Sequence, residues 1–249
     1  MTSEDLLTAR AARSNELRPG HLDQETLRGW VGVLGFATLP DFGAWDDQAV
    51  LLLESELAAL HIIELWIWPG MLRYCAADLL GYLYVAVGDR HPRKDYLQQQ
   101  ERQQLSMLAA EVFEQLLAAP APLTNTQLRQ RLGPDRTSAF TVDRALRELA
   151  RTLKILRCGH AQSEPLWRPL VLALPAVPPW VDKVSQLQAA AALVTQYLDT
   201  QVCETEESLA QFFAPLFSST RIHDAIAGLE SNRQVAVDNI DGRPAWRMK

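Results

Sequence analysis

Apolar positions in the second half of the chain change period in the same order twice, from a helical rhythm to an extended one. In the middle stretch, an apolar helix predicted over residues 109–117 is followed by Thr124-Asn125-Thr126-Gln127, which suits a helix start. A short helix carrying Leu128 and Leu132 then stops at Gly133-Pro134. A longer helix is predicted over residues 139–152, because Val142, Leu146, Leu149 and Leu153 recur at +4, +3 and +4 and make one packing face. Residues 154–158 and 166–172 read as two strands around a turn at 159–165. The last stretch repeats the order: helices over 187–198, 206–213 and 220–230, then strands over 235–239 and 244–248 around Asp241-Gly242. Three helices followed by a hairpin is the element order of a winged helix-turn-helix. The expected fold class is therefore mainly α with short β-hairpins (α+β), built from tandem winged helix-turn-helix modules.

The rest of the chain is organised around these two modules. Residues 1–21 are polar, end near Pro19-Gly20, and read as a mobile arm or a loosely docked helix. Residues 22–104 form a Trp-rich helical region, compatible with a degenerate winged helix. Within it, Asp23-Gln24-Glu25 opens a helix through Leu27, Trp30, Val31 and Leu34, and Asp46 suits the cap of a helix over 50–60. Leu65-Trp66-Ile67-Trp68 looks strand-like. The middle module spans 105–173 and the last module 182–249. Between them, residues 174–181 carry Pro175, Pro178 and Pro179 and read as a stiff linker.

Charge separates the modules. The whole chain carries -6, so attraction to a polyanion has to come from local basic surface and has to weaken with salt. Residues 106–160 hold eight basic and five acidic side chains, whereas residues 182–249 hold six basic and nine acidic. In the middle module Arg144, Arg147 and Arg151 share one face of the third helix, Arg136 precedes it, and Lys154 and Arg157 lie on the strand entering the wing. Guanidinium groups so placed can reach phosphates or guanine edges. These six residues are the candidate contacts to double-stranded DNA. The plainer alternative is a solvated amphipathic face paired with Asp143 and Glu148. The last module's acidic balance favours packing or a protein contact.

Candidate chemistry is sparse. Cys75, Cys158 and Cys203 are widely separated and odd in number, which argues for a reducing compartment. Cys158 and His160 lack a second pair, so neither metal nor cofactor is expected, and Cys158 reads as a buried thiol. His61 lies among apolar residues and reads as a core or interface histidine rather than a catalyst. Of the carboxylates only Asp41, in a loop between buried segments, stands out. The apolar runs at 57–68 and 76–88 are interrupted by Glu64 and Asp78 and fall short of the roughly twenty residues that span a bilayer. A cytoplasmic protein without a membrane partner is expected.

Leu34-Gly35-Phe36-Ala37-Thr38-Leu39-Pro40, Leu65-Trp66-Ile67-Trp68-Pro69 and Leu146-Arg147-Glu148-Leu149 running into the 153–159 strand resemble a bacterial family related to the winged-helix DNA glycosylases of the AlkZ kind. The resemblance covers residues 22–249. It implies a tandem winged-helix scaffold curved around DNA, and base excision by a Gln-x-Gln or Gln-x-Asp pair after a Leu-Gly-containing helix. The corresponding stretch here, residues 35–41, contains no glutamine, so no catalytic residue carries over. The leading expectation is a non-enzymatic DNA-binding protein, a regulator or repair accessory. A protein-interaction scaffold, with a protein partner or homodimer and with Trp167, Trp180 and Trp246 exposed, is the first alternative. A divergent glycosylase using Asp41 or a nearby acid is the second.

Overall fold

Six hydroxyl side chains start the six principal helices of the second half. Ser106, Thr124 and Ser138 cap α6 (Met107–Ala118), α7 (Asn125–Leu132) and α8 (Ala139–Arg151). Ser185, Thr205 and Ser218 do the same for α10 (Gln186–Gln201), α11 (Glu206–Phe213) and α12 (Ser219–Ser231). Each accepts a backbone N–H three residues on, satisfying a donor that the helix itself leaves unpaired. The computed structural model describes residues 2–17, 22–38 and 47–249 of the chain.

Each third helix ends alike. Leu153 and Arg233 adopt left-handed backbone, with φ of 53° and 58°. The next N–H, of Lys154 or Gln234, returns to the carbonyl of Leu149 or Leu229. That turn reverses the chain into an antiparallel hairpin, β3 (Ile155–Ala161) with β4 (Glu164–Pro169), or β6 (Val235–Ile240) with β7 (Arg243–Met248). In both units the segment before the second helix pairs with a tryptophan of the second strand. Leu123 bridges Trp167, and Glu204, in the short strand β5 (Glu204–Thr205), pairs with Trp246. The second strand of the middle unit is shorter than expected, because the chain turns helical at α9 (Leu170–Ala173).

The N-terminal region supplies α1 (Ser3–Leu17), α2 (Gln24–Leu34), α3 (Asp47–Ala58), the hairpin β1 (Ile62–Leu65) with β2 (Arg73–Ala76), α4 (Leu80–Val87) and α5 (Asp95–Glu101). The architecture is mainly α with short antiparallel hairpins. Asp23 caps α2 as its sequence suggested. The strand, however, stops at Leu65. The indole N–H of Trp66 donates to Glu64 at 2.8 Å and that of Trp68 donates to the Phe212 carbonyl at 2.7 Å. The Pro19-Gly20 turn, Asp46 and Asp41 lie outside the described residues.

Two large cores hold these pieces. The middle unit closes its own around Phe113, Leu128, Leu146, Leu149, Ile155 and Trp167. A second core joins the N-terminal region to the last unit through Leu80, Leu83, Tyr84, Leu193, Phe213 and Ile226, and also takes Leu153, Leu156 and Leu170 of the middle unit. The proline-rich segment is docked into this arrangement. Trp180 lies edge-on to Tyr82 at 5.1 Å, and a Cβ on Gly81 would come within 2.4 Å of the indole, so only glycine fits there. Trp167 is buried, and Trp180 and Trp246 pack against the second core, so the exposed tryptophans expected of a scaffold are not present. At the other end α1 is a docked helix: Leu6 packs with Cys203, Ile240 and Ala245, and Arg10 donates to Gln201 and Cys203 carbonyls and to Glu204.

Candidate nucleic-acid interface

The exposed face of α8 follows from the burial of its other face. Val142, Ala145, Leu146, Leu149 and Ala150 are buried against the middle core, so the positions between them turn to solvent. Arg144, Arg147 and Arg151 are exposed there, and Arg136 is exposed just ahead of the cap. Together with Phe140, Asp143, Glu148, Gln103 and Ser106, the three helix arginines line a shallow groove of about 540 Å³.

Of the two acids expected to neutralise this face, Glu148 is bound to the start of α6 and Asp143 is paired with one arginine. Glu148 accepts the Ser106 backbone N–H at 2.6 Å and its hydroxyl at 2.7 Å, so its charge faces the start of α6. Asp143 pairs with Arg147 at 2.8 Å, and the Arg147 guanidinium also sits 5.5 Å from the Trp66 ring centre. Arg136, Arg144 and Arg151 form no ion pair among the described residues. Of the four, only Arg147 matches the solvated-pair alternative.

The two residues expected on the wing strand, Lys154 just before β3 and Arg157 within it, turn inward rather than to solvent. Lys154 is only 5% exposed and its ammonium binds Asp89, whose other oxygen accepts from Gln99 at 2.7 Å. The Arg157 guanidinium bridges Glu64 and Glu54, with His160 against Glu54 as well. Burial opposes the Arg157 charge, but the two carboxylates outweigh it and hold its pKa above the ordinary arginine value. These groups clamp β3 to the N-terminal region, where a Cβ on Gly159 would come within 3.1 Å of Ala58. Sequence signals missed this because a cation in a wing strand looks the same whether it faces solvent or a carboxylate in another part of the chain. Phe140 was missed for the opposite reason: an apolar residue near a helix start reads as core, yet this one is exposed.

Other candidate chemistry is quiet. Burial pushes the Cys158 thiol up to about 11, against a smaller opposing pull from Arg168, so it stays protonated at neutral pH. Among the described residues no cluster of three His, Cys, Asp or Glu side chains suits a metal, and no helix is long and apolar enough to cross a membrane. His61 is half-exposed and faces Glu56 at 3.1 Å, which sets aside the core half of the core-or-interface expectation. The last turn of α2 is held from behind. The Gln196 amide donates to the Gly32 and Val33 carbonyls at 3.0 and 2.9 Å, and Gly35, with φ of 70°, leaves room for it.

Comparison with known proteins agrees with this architecture. The model of the family described as DNA glycosylase AlkZ-like matches residues 46–249, which include both three-helix units but not the segment after α2. Among solved structures, the Streptomyces sahachiroi DNA glycosylase AlkZ superposes with a TM-score of 0.65 at 16% identity, covering 100% of this chain and 70% of that one. At that identity the likeness carries the fold alone. Curated proteins offer no match. The family match extends over most of the chain, and the chain belongs to the AlkZ-like DNA glycosylase family.

Proposed function

We propose that this chain binds duplex DNA through the exposed face of α8 and serves DNA repair or regulation without excising a base itself. In this reading the two units are tandem winged helices and α8 is the recognition helix. The observation that carries it is a row of cations with few internal partners. Arg144 and Arg151 have no ion pair among the described residues, Arg147 lies between them, and Arg136 lies ahead, all on a unit whose balance is basic. Family membership supports DNA as the partner. The absence of glutamine from residues 35–41 supports a binding role, since that is where the resemblance puts the group that positions water.

Fluorescence anisotropy with a labelled duplex tests it. The Arg144→Ala, Arg147→Ala, Arg151→Ala triple variant should bind on the order of a hundredfold more weakly at low salt. The slope of log affinity against log salt should fall by roughly 2–3, at about 0.9 for each phosphate no longer neutralised. An unchanged isotherm removes the proposal. Family membership also favours a second reading, divergent base excision, with Asp41 or a nearby acid activating water. Release of a base from alkylated duplex, with protein in excess, would establish it in place of the binding-only role.

A further inference from the structure

Phe140 is 75% exposed, the most exposed large apolar side chain among the described residues. It occupies the second position of α8, four residues before Arg144, seven before Arg147 and eleven before Arg151. Those spacings bring it onto the arginine face. The first turn beneath it is held firmly. The Ser138 hydroxyl accepts the Thr141 N–H at 3.1 Å, and the Thr141 hydroxyl accepts the Ser138 N–H at 3.1 Å. No described aromatic ring stacks on it, and the middle core lies on the opposite side of the helix.

We infer that Phe140 is a base-reading residue that packs on the 5-methyl group of thymine in the major groove. This rests on the reading of α8 as the helix that faces the duplex. A protein partner would call for a continuous apolar patch, and Phe140 shares its groove with Asp143, Arg144, Arg147, Glu148 and Arg151. The surrounding charge complements a polyanion instead. A phenyl ring offers nothing to a phosphate. Of the base edges in the major groove, thymine presents an apolar group, and residues near the start of a recognition helix are those that approach base edges. The arginines then hold the backbone while the ring takes up the methyl.

The test uses the full chain and two short duplexes, one of alternating dA and dT, the other with dU in place of dT. They differ by the methyl group alone. Wild type should bind the dT duplex about fourfold more tightly for each methyl the ring covers, the worth of one buried carbon. Phe140→Ala should bind both duplexes equally with an unaltered salt slope, and Phe140→Leu should keep part of the preference. Removing an exposed ring leaves the core intact, and unchanged far-UV circular dichroism checks that. Equal wild-type affinity for dT and dU, or a preference that survives in Phe140→Ala, overturns the inference. If binding is salt-sensitive and lost in the triple arginine variant yet blind to the methyl, Phe140 loses its role while the reading of α8 stands. If no duplex binds at low salt, both fall.

Discussion

The middle and last units share their caps, their left-handed exit from the third helix and their strand-to-tryptophan pairing, yet they present opposite surfaces. Counting from the caps Ser138 and Ser218, the positions held by Phe140, Arg144, Arg147 and Arg151 in α8 are Thr220, Asp224, Ala227 and Ser231 in α12. The last unit is acidic in balance, with nine acids to six lysines and arginines, and two of those cations are paired, Arg243 with Glu207 and Arg247 with Asp238. The hairpins diverge in the other direction. Lys154 and Arg157 are clamped to the N-terminal region, whereas their counterparts, Gln234 and Val237, face solvent, Val237 being 55% exposed. One backbone plan thus yields a unit with an open cationic helix and a buried hairpin, and another whose helix lacks cations at the matched positions and whose hairpin is open. Element order alone does not say which surface works.

The strongest way to break this comparison is at the first residue after each helical exit. Lys154→Ala leaves Asp89 buried without its cation and should cost about 3–5 kcal/mol of unfolding free energy. Gln234→Ala, at the matching exposed position, should stay within about 0.5 kcal/mol. Urea denaturation of the two variants decides, and similar small losses would mean that the Lys154–Asp89 pair does not hold the middle hairpin. Replacing both partners with apolar side chains of similar volume should recover most of the loss, since the pair's cost of leaving water then disappears as well.

That contrast also marks what the sequence could disclose. Helix boundaries were legible because caps and apolar periodicity are local: the expected 206–213 helix and the Asp241-Gly242 turn are where the structure has them. The arginine face was legible for the same reason, since spacing alone fixes which side chains share a side. The partners of Lys154 and Arg157 were not. Asp89 lies 65 residues from Lys154, and Glu64 lies 93 from Arg157. No periodicity records such a meeting. Trp66 failed likewise, because the hydrogen bond that turns its indole aside depends on how Glu64 is buried.

A smaller effect tests the exposed faces directly. Reversing charge at matched positions, Arg144→Asp should weaken duplex binding by about tenfold to a hundredfold, by removing a cation from one phosphate and adding repulsion. Asp224→Arg should change it by no more than about twofold, because α12 lies on the acidic unit and is not the proposed reading helix. The pair is best measured together in one low-salt anisotropy series. A large gain in Asp224→Arg would show that the last unit also approaches the duplex, and the division of roles between units would have to be abandoned.

The smallest effect concerns how each second helix obtains its negative charge. The first turn of α11 carries Glu206 and Glu207, but α7 has no acid of its own there. It uses Glu164 from the hairpin, whose carboxylate accepts the Thr126 hydroxyl and its backbone N–H, the latter at 3.1 Å. Those hydrogen bonds hold the Glu164 carboxyl below the ordinary glutamate value, against a smaller opposing push from burial. A carboxylate with a depressed folded-state pKa contributes its full stabilisation above the unfolded-state value and loses it as pH falls through the folded-state value. Glu164→Gln should therefore cost about 0.5 kcal/mol at neutral pH, a modest figure because water screens the site. The difference from wild type should close in acid, below the lowered pKa. Urea titrations at both pH values read it out. A gap that persists in acid would trace the loss to side-chain packing rather than charge, and α7 would then need no borrowed acid to begin.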